Sequence, residues 1–240
     1  MELFLIRHGE STNNALADAS ARVADPLLTT LGERQAERVA AHLGDLAHLH
    51  STQRSTAPPL DRLYCSAMLR AMQTADAIGR RLGLAPELWL DIHEFGGIYL
   101  DHGADKVGYP GATRDELAAR FPNCVLAPDL PRDGWWNRPY EEHGAGVERA
   151  LRVARALRDR AHEPTRIGLV SHGDFLNALL RALLDRSDLA SAAIWPWRAG
   201  DVYYEHRNTG VTCIELTPEV VFVRYLNRAD HLDDGEPRTV

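Results

Sequence analysis

The sequence predicts an α/β fold of three layers, with helices on both faces of a mostly parallel central sheet. Short apolar runs typical of buried strands recur along the 240 residues. Helical patterns lie between them, so successive strands are expected to be joined by right-handed crossovers and to run parallel. Two apolar runs on either side of 217–219 predict an antiparallel β-hairpin at the edge of the sheet.

The first strand is predicted over residues 3–6, an apolar run that begins almost at the N-terminus. A helix is then expected from Thr30 to about residue 48, because apolar side chains recur there at helical spacing. Thr30 is the expected N-cap, since Glu33 follows three positions later as in a capping box. The polar, proline-bearing stretch 51–59 predicts a surface loop.

The middle of the chain continues the alternation of strands and helices. A short buried strand is predicted over 62–66, followed by a helix over 68–82 that ends at Gly83. Residues 88–92 predict a third strand, which completes the first strand–helix–strand unit.

The second half of the chain adds the remaining elements. A long helix rich in Ala, Leu and Arg is predicted over 145–161, and the clearest buried strand of the sequence over 166–171. A helix over 175–184 follows it. The two strands of the C-terminal hairpin are predicted over 211–216 and 220–226.

The stretch 95–143 has a different composition, rich in Gly, Pro, Asp and aromatic residues. One short helix over 113–120 is all that its pattern predicts. A long excursion of this kind inside a compact domain is typical of a lid or specificity element. We therefore expect a single domain over 1–240, with 95–143 inserted as a cap.

Composition excludes several classes of function. Apolar residues make up 45% of the chain and charged residues 25%, which is usual for a soluble globular protein. The net charge of −7 argues against a general nucleic-acid or membrane-surface binder. The three cysteines, Cys65, Cys124 and Cys213, are far apart and indicate neither a zinc site nor a disulfide framework. We expect a cytoplasmic protein that uses no metal and no cofactor.

The chemistry is expected where the first strand ends, at Arg7-His8-Gly9. Arginine carries a planar fork of donors suited to phosphate oxygens, and histidine carries a nitrogen nucleophile that titrates near neutrality. A glycine lets the backbone approach a ligand closely. Free N–H groups at a strand–loop–helix passage favour an anion at the same place. Taken alone, the tripeptide would more often be incidental than catalytic.

Other strand ends carry matching side chains. Open α/β sheets bind their ligands just beyond the carboxyl ends of the strands. The predicted strand ends carry two histidines, two arginines and one carboxylate, namely Arg7, His8, Arg70 in the first turn after the second strand, Glu94 and His172. These groups converge if the strands are neighbours in the sheet.

With these residues, the chain resembles the histidine phosphatase superfamily, whose fold is that of phosphoglycerate mutase. The resemblance rests on motifs that cover the chain apart from 95–143. They are Arg7-His8-Gly9-Glu10-Ser11 with Asn14, Leu28-Thr29-x-x-Gly32-x-x-Gln35-Ala36, Ser66-x-x-x-Arg70-Ala71-x-Gln73-Thr74-Ala75, Glu94, Val170-Ser171-His172-Gly173, and Asn227 through His231-Leu232.

The resemblance implies an enzyme that forms a phosphohistidine. His8 would be the nucleophile that attacks phosphorus in line. His172, Arg7 and Arg70 would surround the equatorial oxygens of the transferring phosphoryl group, with Gly173 beside them. Such a role agrees with the chemistry, because phosphoryl transfer needs chiefly positioning and positive charge, which arginines can supply in place of a metal.

Two further roles follow from the resemblance. Asn14 would add a neutral donor to the phosphate. Glu94 would give a proton to the leaving alkoxide and later take one from water, although Glu10 and Asp91 are alternative carboxylates nearby in the sequence. A carboxyl group that donates a proton near neutral pH needs a raised pKa, which burial raises and neighbouring arginines lower.

Substrate specificity is expected to lie in 95–143. Trp135 and Trp136 are candidates for contacts with the substrate, although tryptophans in such a position more often pack in the core or the lid. Arg138 beside them is a candidate for a second contact with an anion.

The predicted function is hydrolysis of small phosphomonoesters. Mutase activity is the alternative, but related mutases carry an adjacent arginine pair and a lysine after the acid, and 95–143 contains no adjoining arginines. A non-catalytic phosphate-binding module is a further alternative. The expected partner is a small phosphorylated substrate, with no nucleic acid or membrane, and the hairpin would offer an edge for a homodimer.

Overall fold

The computed structural model describes residues 1–49, 59–103, 105–184, 202–232 and 239–240. The strands are β1 (Glu2–Arg7), β2 (Arg62–Cys65), β3 (Glu87–Leu88), β4 (Tyr99–His102), β5 (Asp105–Gly108), β6 (Arg166–Ser171), β7 (Val211–Leu216) and β8 (Val221–Arg228). The helices are α1 (Thr30–Leu49), α2 (Leu69–Leu82), α3 (Arg114–Arg120), α4 (His143–Asp159) and α5 (Gly173–Leu184). Most of the surface loop predicted over 51–59 lies outside the described residues.

Six strands form the central sheet, in the order β3-β2-β6-β1-β7-β8. The pairs β1–β6, β2–β6 and β2–β3 are parallel, whereas β7 pairs antiparallel with β1 and with β8. The α/β fold with a mostly parallel sheet and a C-terminal hairpin at its edge is thereby confirmed. Strands β4 and β5 form a separate two-stranded sheet.

The core lies on both faces of this sheet, because side chains alternate between the faces along each strand. Phe4 and Ile6 of β1 belong to the apolar cluster that includes residues of α1 and α2. Leu3 and Leu5 of the same strand belong to the cluster that includes residues of α4 and α5. The helices therefore cover the sheet in two outer layers, as the three-layer prediction requires.

The register of the parallel strands determines which residues meet at their carboxyl ends. Arg7 of β1 lies opposite Ser171 of β6, and Cys65 of β2 lies opposite Val170. The backbone amide of His8 continues this pairing by donating to the carbonyl oxygen of Ser171 at 3.0 Å. The residues that follow all three strands are consequently neighbours at one edge of the sheet.

The predicted N-cap of α1 is wrong by one residue. Thr29, rather than Thr30, precedes the helix, and its hydroxyl accepts a hydrogen bond from the amide of Gly32 at 3.0 Å. The same hydroxyl donates to the carboxylate of Glu10 at 2.8 Å. The cap is thus also tied to the loop after β1, a tertiary contact that the capping pattern does not reveal.

The predicted third strand is also wrong in extent. Only Glu87–Leu88 pairs with β2, and Leu90–Ile92 forms a short 3-10 helix. Pairing ends where the amide of Trp89 donates to the carbonyl oxygen of Cys65, at the end of β2. Glu94 therefore reaches the carboxyl edge of the sheet through a 3-10 turn and not directly from a strand.

The segment 95–143 contains more regular structure than its sequence predicts. Helix α3 appears as expected, with Thr113 and Glu116 forming a capping box. The hairpin of β4 and β5 was not predicted, because its side chains are mostly exposed or half-buried and show no apolar alternation. Within the described residues, no helix has the length and apolar character needed to cross a membrane.

Gly97 offers a test of the packing in 95–143. A Cβ at this position, whose φ is 73°, would lie 2.1 Å from the buried ring of Trp136. Gly83 has a similar φ of 69°, but nothing lies within 4 Å of its Cβ position. We expect Gly83→Ala to lower the free energy of unfolding by about 1 kcal/mol through backbone strain alone, and Gly97→Ala by about 2–5 kcal/mol because overpacking is added.

Urea denaturation of both variants measures the difference. Equal destabilisation by the two substitutions would contradict the packing of Trp136 against Gly97.

Candidate active site

A pocket of about 180 Å³ opens at the carboxyl edge of the sheet. Its wall contains five of the residues predicted from the sequence, Arg7, His8, Asn14, Arg70 and Glu94. His172 is fully buried, and its ring centroid lies 5.1 Å from that of His8. A larger, open groove of about 610 Å³ runs along α1 and α2, but neither of these histidines borders it. The smaller pocket is therefore the candidate active site.

The imidazole of His8 is held in one tautomer by its two neighbours. The Nε of Arg70 lies 3.1 Å from His8 Nε2 and can only donate, so Nε2 is unprotonated and accepts this hydrogen bond with its electron pair. The proton then resides on Nδ1, which donates to the carbonyl oxygen of Gly9 at 2.6 Å. Burial, together with the charges of Arg70 and Arg7, holds the pKa of His8 well below its usual range. The ring is consequently neutral, with Nε2 available as a nucleophile.

The imidazole of His172 packs beside that of His8. Its Nε2 lies 2.9 Å from the hydroxyl of Ser66, and that hydroxyl already accepts from the amide of Met68 at 3.2 Å. The hydroxyl is able to donate to Nε2, and in that tautomer the imidazole proton lies on Nδ1. Burial and the charge of Arg70 lower the pKa of His172 well below its usual range, so this ring is also neutral.

At this site, two buried nitrogens have no hydrogen-bond partner among the described residues: Nε of Arg7, which can only donate, and Nδ1 of His172, which donates in the tautomer just described. Arg7 is fixed at another nitrogen, which donates to the carbonyl oxygen of His206 at 2.6 Å. A Cβ on Gly173 would lie 3.5 Å from Arg7 Nε, so the glycine lies against the guanidinium group. Buried donors without acceptors are costly, and an anion beside His8 would satisfy both.

Arg70 is oriented by a buried carboxylate that sequence reasoning did not identify. Its guanidinium lies 3.8 Å from Asp25, whose side chain also accepts from the amide of Leu69 at the start of α2. Burial raises the pKa of Asp25 to about 6, against the opposing charge of Arg70. The ion pair orients Arg70 in the wall of the pocket. The hydrogen bond from the Leu69 amide to Asp25 caps the start of α2, where the preceding residue, Met68, provides no side-chain cap.

Asn14 lies at the exposed side of the pocket. Its side-chain oxygen accepts from the amide and the hydroxyl of Ser11, at 3.0 and 2.8 Å. The oxygen is thereby committed, and the NH₂ group is the part of the amide that can donate to a ligand. This geometry suits the neutral donor predicted for Asn14.

Glu94 is a half-buried carboxyl group in the wall of the pocket. Its oxygens accept from the backbone amides of Phe95 and Phe175, at 2.9 and 3.0 Å, and of Asp174 at 3.3 Å. Burial, and after it the charge of Asp174, raises the pKa of Glu94 to about 7, whereas the Phe95 amide and Arg70 oppose the shift. Of the three carboxylates considered from the sequence, Glu94 alone lies in the pocket wall, and burial dominates its pKa.

Comparison with known proteins now identifies the family. The profile of the histidine phosphatase superfamily, branch 1, matches residues 3–228. The chain belongs to the histidine phosphatase superfamily. The resemblance seen in the sequence motifs is thereby confirmed over nearly the whole chain.

Solved members share the fold of this histidine phosphatase. Bacillus stearothermophilus YhfR is 23% identical, with a TM-score of 0.59 over 97% of this chain and 99% of that chain. A mycobacterial glucosyl-3-phosphoglycerate phosphatase complexed with VO3 is 20% identical, with a TM-score of 0.56 over 95% and 99% of the two chains. The phosphoserine phosphatase of Entamoeba histolytica, in complex with 3-phosphoglyceric acid, is 19% identical, with a TM-score of 0.56 over 96% and 98%.

A curated relative matches a shorter stretch. The PE-PGRS family protein PE_PGRS11 of Mycobacterium tuberculosis is 30% identical over 97 residues. The match covers 40% of this chain and 15% of that protein.

The predicted specificity residues lie elsewhere. Trp135 and Trp136 are 1% and 4% exposed and belong to the core cluster on the α1 and α2 side of the sheet. Arg138 is exposed and stacks on Trp136, with its Cζ 4.2 Å from the ring centroid. None of the three belongs to the described residues that form the pocket wall of this histidine phosphatase. The two tryptophans therefore pack in the core, as the alternative interpretation held.

Other wall residues were missed by sequence reasoning, namely Ser11, Asn13, Arg22, Tyr99 and Asp174. Asp174 could have been found, because it follows the His172-Gly173 motif at the start of α5. Arg22 and Tyr99 lie in a loop and in the unpredicted hairpin, where no motif of the histidine phosphatases marked them.

The pKa of Glu94 can be tested through Asp174. Removing the neighbouring negative charge in Asp174→Asn stabilises the ionised carboxylate of Glu94, so its pKa is expected to fall below the wild-type value of about 7. A ¹³C NMR titration of the Glu94 carboxyl group measures this shift. The matched control is Asp45→Asn, which removes an exposed carboxylate on α1 and should leave the titration midpoint of Glu94 unchanged. The same midpoint in all three proteins would contradict the electrostatic coupling.

Proposed function

We propose that this protein is a phosphatase that hydrolyses small phosphomonoesters through a phosphohistidine on His8. The observation that carries the proposal is the group of atoms around that ring: the electron pair of His8 Nε2, together with two buried nitrogens, Arg7 Nε and His172 Nδ1, that have no partner among the described residues. A phosphoryl group bound there would meet a nucleophile and satisfy both donors. Phosphoryl transfer requires this combination of positioning and charge.

In the first step, the Nε2 of His8 attacks phosphorus and the bond from phosphorus to the ester oxygen breaks. The Nε of Arg70, which donates to Nε2 in the free protein, is released to donate to a phosphoryl oxygen. Arg7, Arg70 and His172 then face the three equatorial oxygens, where negative charge accumulates. Protonated Glu94 gives its proton to the leaving alkoxide, so that a neutral alcohol departs.

In the second step, water attacks the phosphohistidine. Ionised Glu94 takes a proton from the water, the bond from phosphorus to Nε2 breaks, and inorganic phosphate leaves with the neutral imidazole restored. A carboxyl group serves both as acid and as base most efficiently when its pKa lies near the working pH, and the pKa of about 7 at Glu94 meets this condition.

The positive charge in this mechanism comes from Arg7 and Arg70, so no metal is assigned a role. The segment 95–143 is proposed to act as a cap within a single domain over 1–240, because Phe95, Gly97 and Tyr99 contribute to the pocket wall. The site is small, at about 180 Å³, which favours small esters. Proteins of similar fold carry phosphatase names, which agrees with hydrolysis.

Hydrolysis is favoured over a mutase reaction by the cations in the described pocket wall. Arg7 and Arg70 are used for the phosphoryl group, and Arg22 is the one further cation there. A mutase must hold a bisphosphorylated intermediate while it reorients, which demands several fixed cations, whereas Arg22 is exposed. Non-catalytic phosphate binding is disfavoured because the pocket wall contains both a neutral imidazole, His8, and a carboxyl group with a raised pKa, Glu94, which suit the roles of nucleophile and acid.

The covalent step is tested with His8→Ala. We expect the wild type to release inorganic phosphate from a panel of small esters. It should also yield phosphohistidine after denaturation in alkali, which preserves the acid-labile bond from phosphorus to Nε2. The variant should fold normally and lose both signals. Faster isomerisation of 3-phosphoglycerate than phosphate release, with 2,3-bisphosphoglycerate present, would favour the mutase. A wild type that carries no phosphate when it is denatured in alkali during turnover would favour the binding module.

Arg22 is the residue we propose to contact a second anionic group on the substrate, the role predicted from the sequence for Arg138. For Arg22→Gln we expect the KM for 3-phosphoglycerate to rise about threefold to fivefold, because the loss of an exposed ion pair weakens binding by about that factor. The KM for glycerol 3-phosphate, which lacks the carboxylate, should stay constant. Arg138→Gln is the matched control and should change neither KM. If only the Arg138 variant has an effect, the assignment is wrong.

A further inference from the structure

Thr239 contacts two side chains, Asn208 and Gln35, that bind the loop carrying His8. The hydroxyl of Thr239 donates to Asn208 Oδ1 at 2.9 Å and accepts from Gln35 Nε2 at 3.2 Å. Asn208 Nδ2 donates to the carbonyl oxygen of His8 at 3.0 Å, and Gln35 Oε1 accepts from the amide of Glu10 at 2.8 Å. The Thr239 hydroxyl thus closes a ring of hydrogen bonds that begins at the carbonyl oxygen of His8 and ends at the amide of Glu10.

The peptide between the two ends of this ring is the one that orients the nucleophile. Gly9 lies between His8 and Glu10, and its carbonyl oxygen accepts the Nδ1 proton of His8 at 2.6 Å. The amide of Gly9 is held separately by the hydroxyl of Thr74, at 3.1 Å. The ring and the Thr74 contact therefore hold the backbone of residues 8–10 in place. The Gly9 carbonyl oxygen in this loop accepts the Nδ1 proton and so helps to select the tautomer of the His8 imidazole.

We propose that Thr239 is a positioning residue, whose hydroxyl holds the Gly9 carbonyl in place for His8 Nδ1. The consequence for turnover rests on the proposed function, whereas the consequence for the tautomer does not. Gln35 and Asn208 are fully buried, so their side-chain amides depend on protein partners and not on water. Loss of the Thr239 hydroxyl removes one partner from each and loosens both contacts to the loop.

The chemistry requires a hydroxyl at this position. Thr239 donates to one amide and accepts from the other, which a serine also does and a valine of the same shape cannot. The tail itself is anchored independently, because the amide of Asn208 donates to the carbonyl oxygen of Thr239 at 2.9 Å. Thr239→Val is thus expected to leave the tail docked while the ring is opened.

The ligand-free protein gives the first test. ¹⁵N NMR of His8 is expected to show a protonated Nδ1 and an unprotonated Nε2 in the wild type and in Thr239→Ser. In Thr239→Val the two nitrogen shifts should move toward each other as the second tautomer becomes populated. This measurement stands even if the protein hydrolyses nothing, so failure of the positioning role and failure of the phosphatase assignment are distinguishable.

Kinetics gives the second test, on an ester that the wild type hydrolyses. We expect Thr239→Val to lower kcat and the rate of His8 phosphorylation about tenfold, the effect of one or two lost hydrogen bonds, with KM unchanged. Thr239→Ser should restore kcat to within about twofold. Thr217→Val is the matched control: it removes a hydroxyl that bonds within the β7–β8 turn and should affect stability only.

The proposal is overturned if Thr239→Val keeps the wild-type tautomer and kcat. It is equally overturned if Thr239→Ser fails to restore kcat, or if Thr217→Val lowers kcat as strongly, since the effect would then be one of general stability.

Discussion

The proposed chemistry depends on keeping one buried imidazole neutral. His8 lies between a carbonyl oxygen that accepts its Nδ1 proton and a guanidinium group that donates to Nε2. Burial and two neighbouring positive charges oppose protonation of the ring. In the proposed mechanism a protonated His8 could not attack phosphorus, so the environment that would attract an anion would also preserve the nucleophile. The remaining groups of the pocket are arranged around this constraint.

The charges around His8 are balanced by two carboxylates that act differently. Asp25 lies beneath Arg70 and fixes its orientation, whereas Asp174 lies beside Glu94 and favours its protonated form. The first interaction places positive charge where a phosphoryl group would bind. The second keeps a proton available where the ester oxygen would leave. Neither Asp touches His8 in the described contacts, yet both determine how its pocket would function.

Sequence reasoning identified the residues that motifs place at strand ends, and the structure brings Arg7, His8, Arg70 and His172 together there. It did not identify Asp25, because a carboxylate in a turn carries no local signal of the arginine it meets. Arg22 and Tyr99 reach the pocket from a loop and from an exposed hairpin without apolar periodicity. Thr239 lies 231 residues after His8, and only the folded chain makes them neighbours.

By itself, the sequence determined the α/β class, the strands that carry the catalytic motifs and the family. These follow from local periodicity and from short motifs, in which neighbouring residues share one environment. The tertiary structure alone decided the pairing register that aligns His8 with His172, the buried site of Trp135 and Trp136, and the side-chain neighbours of Glu94. These depend on contacts between residues distant in sequence, because burial and charge act through space and not along the chain.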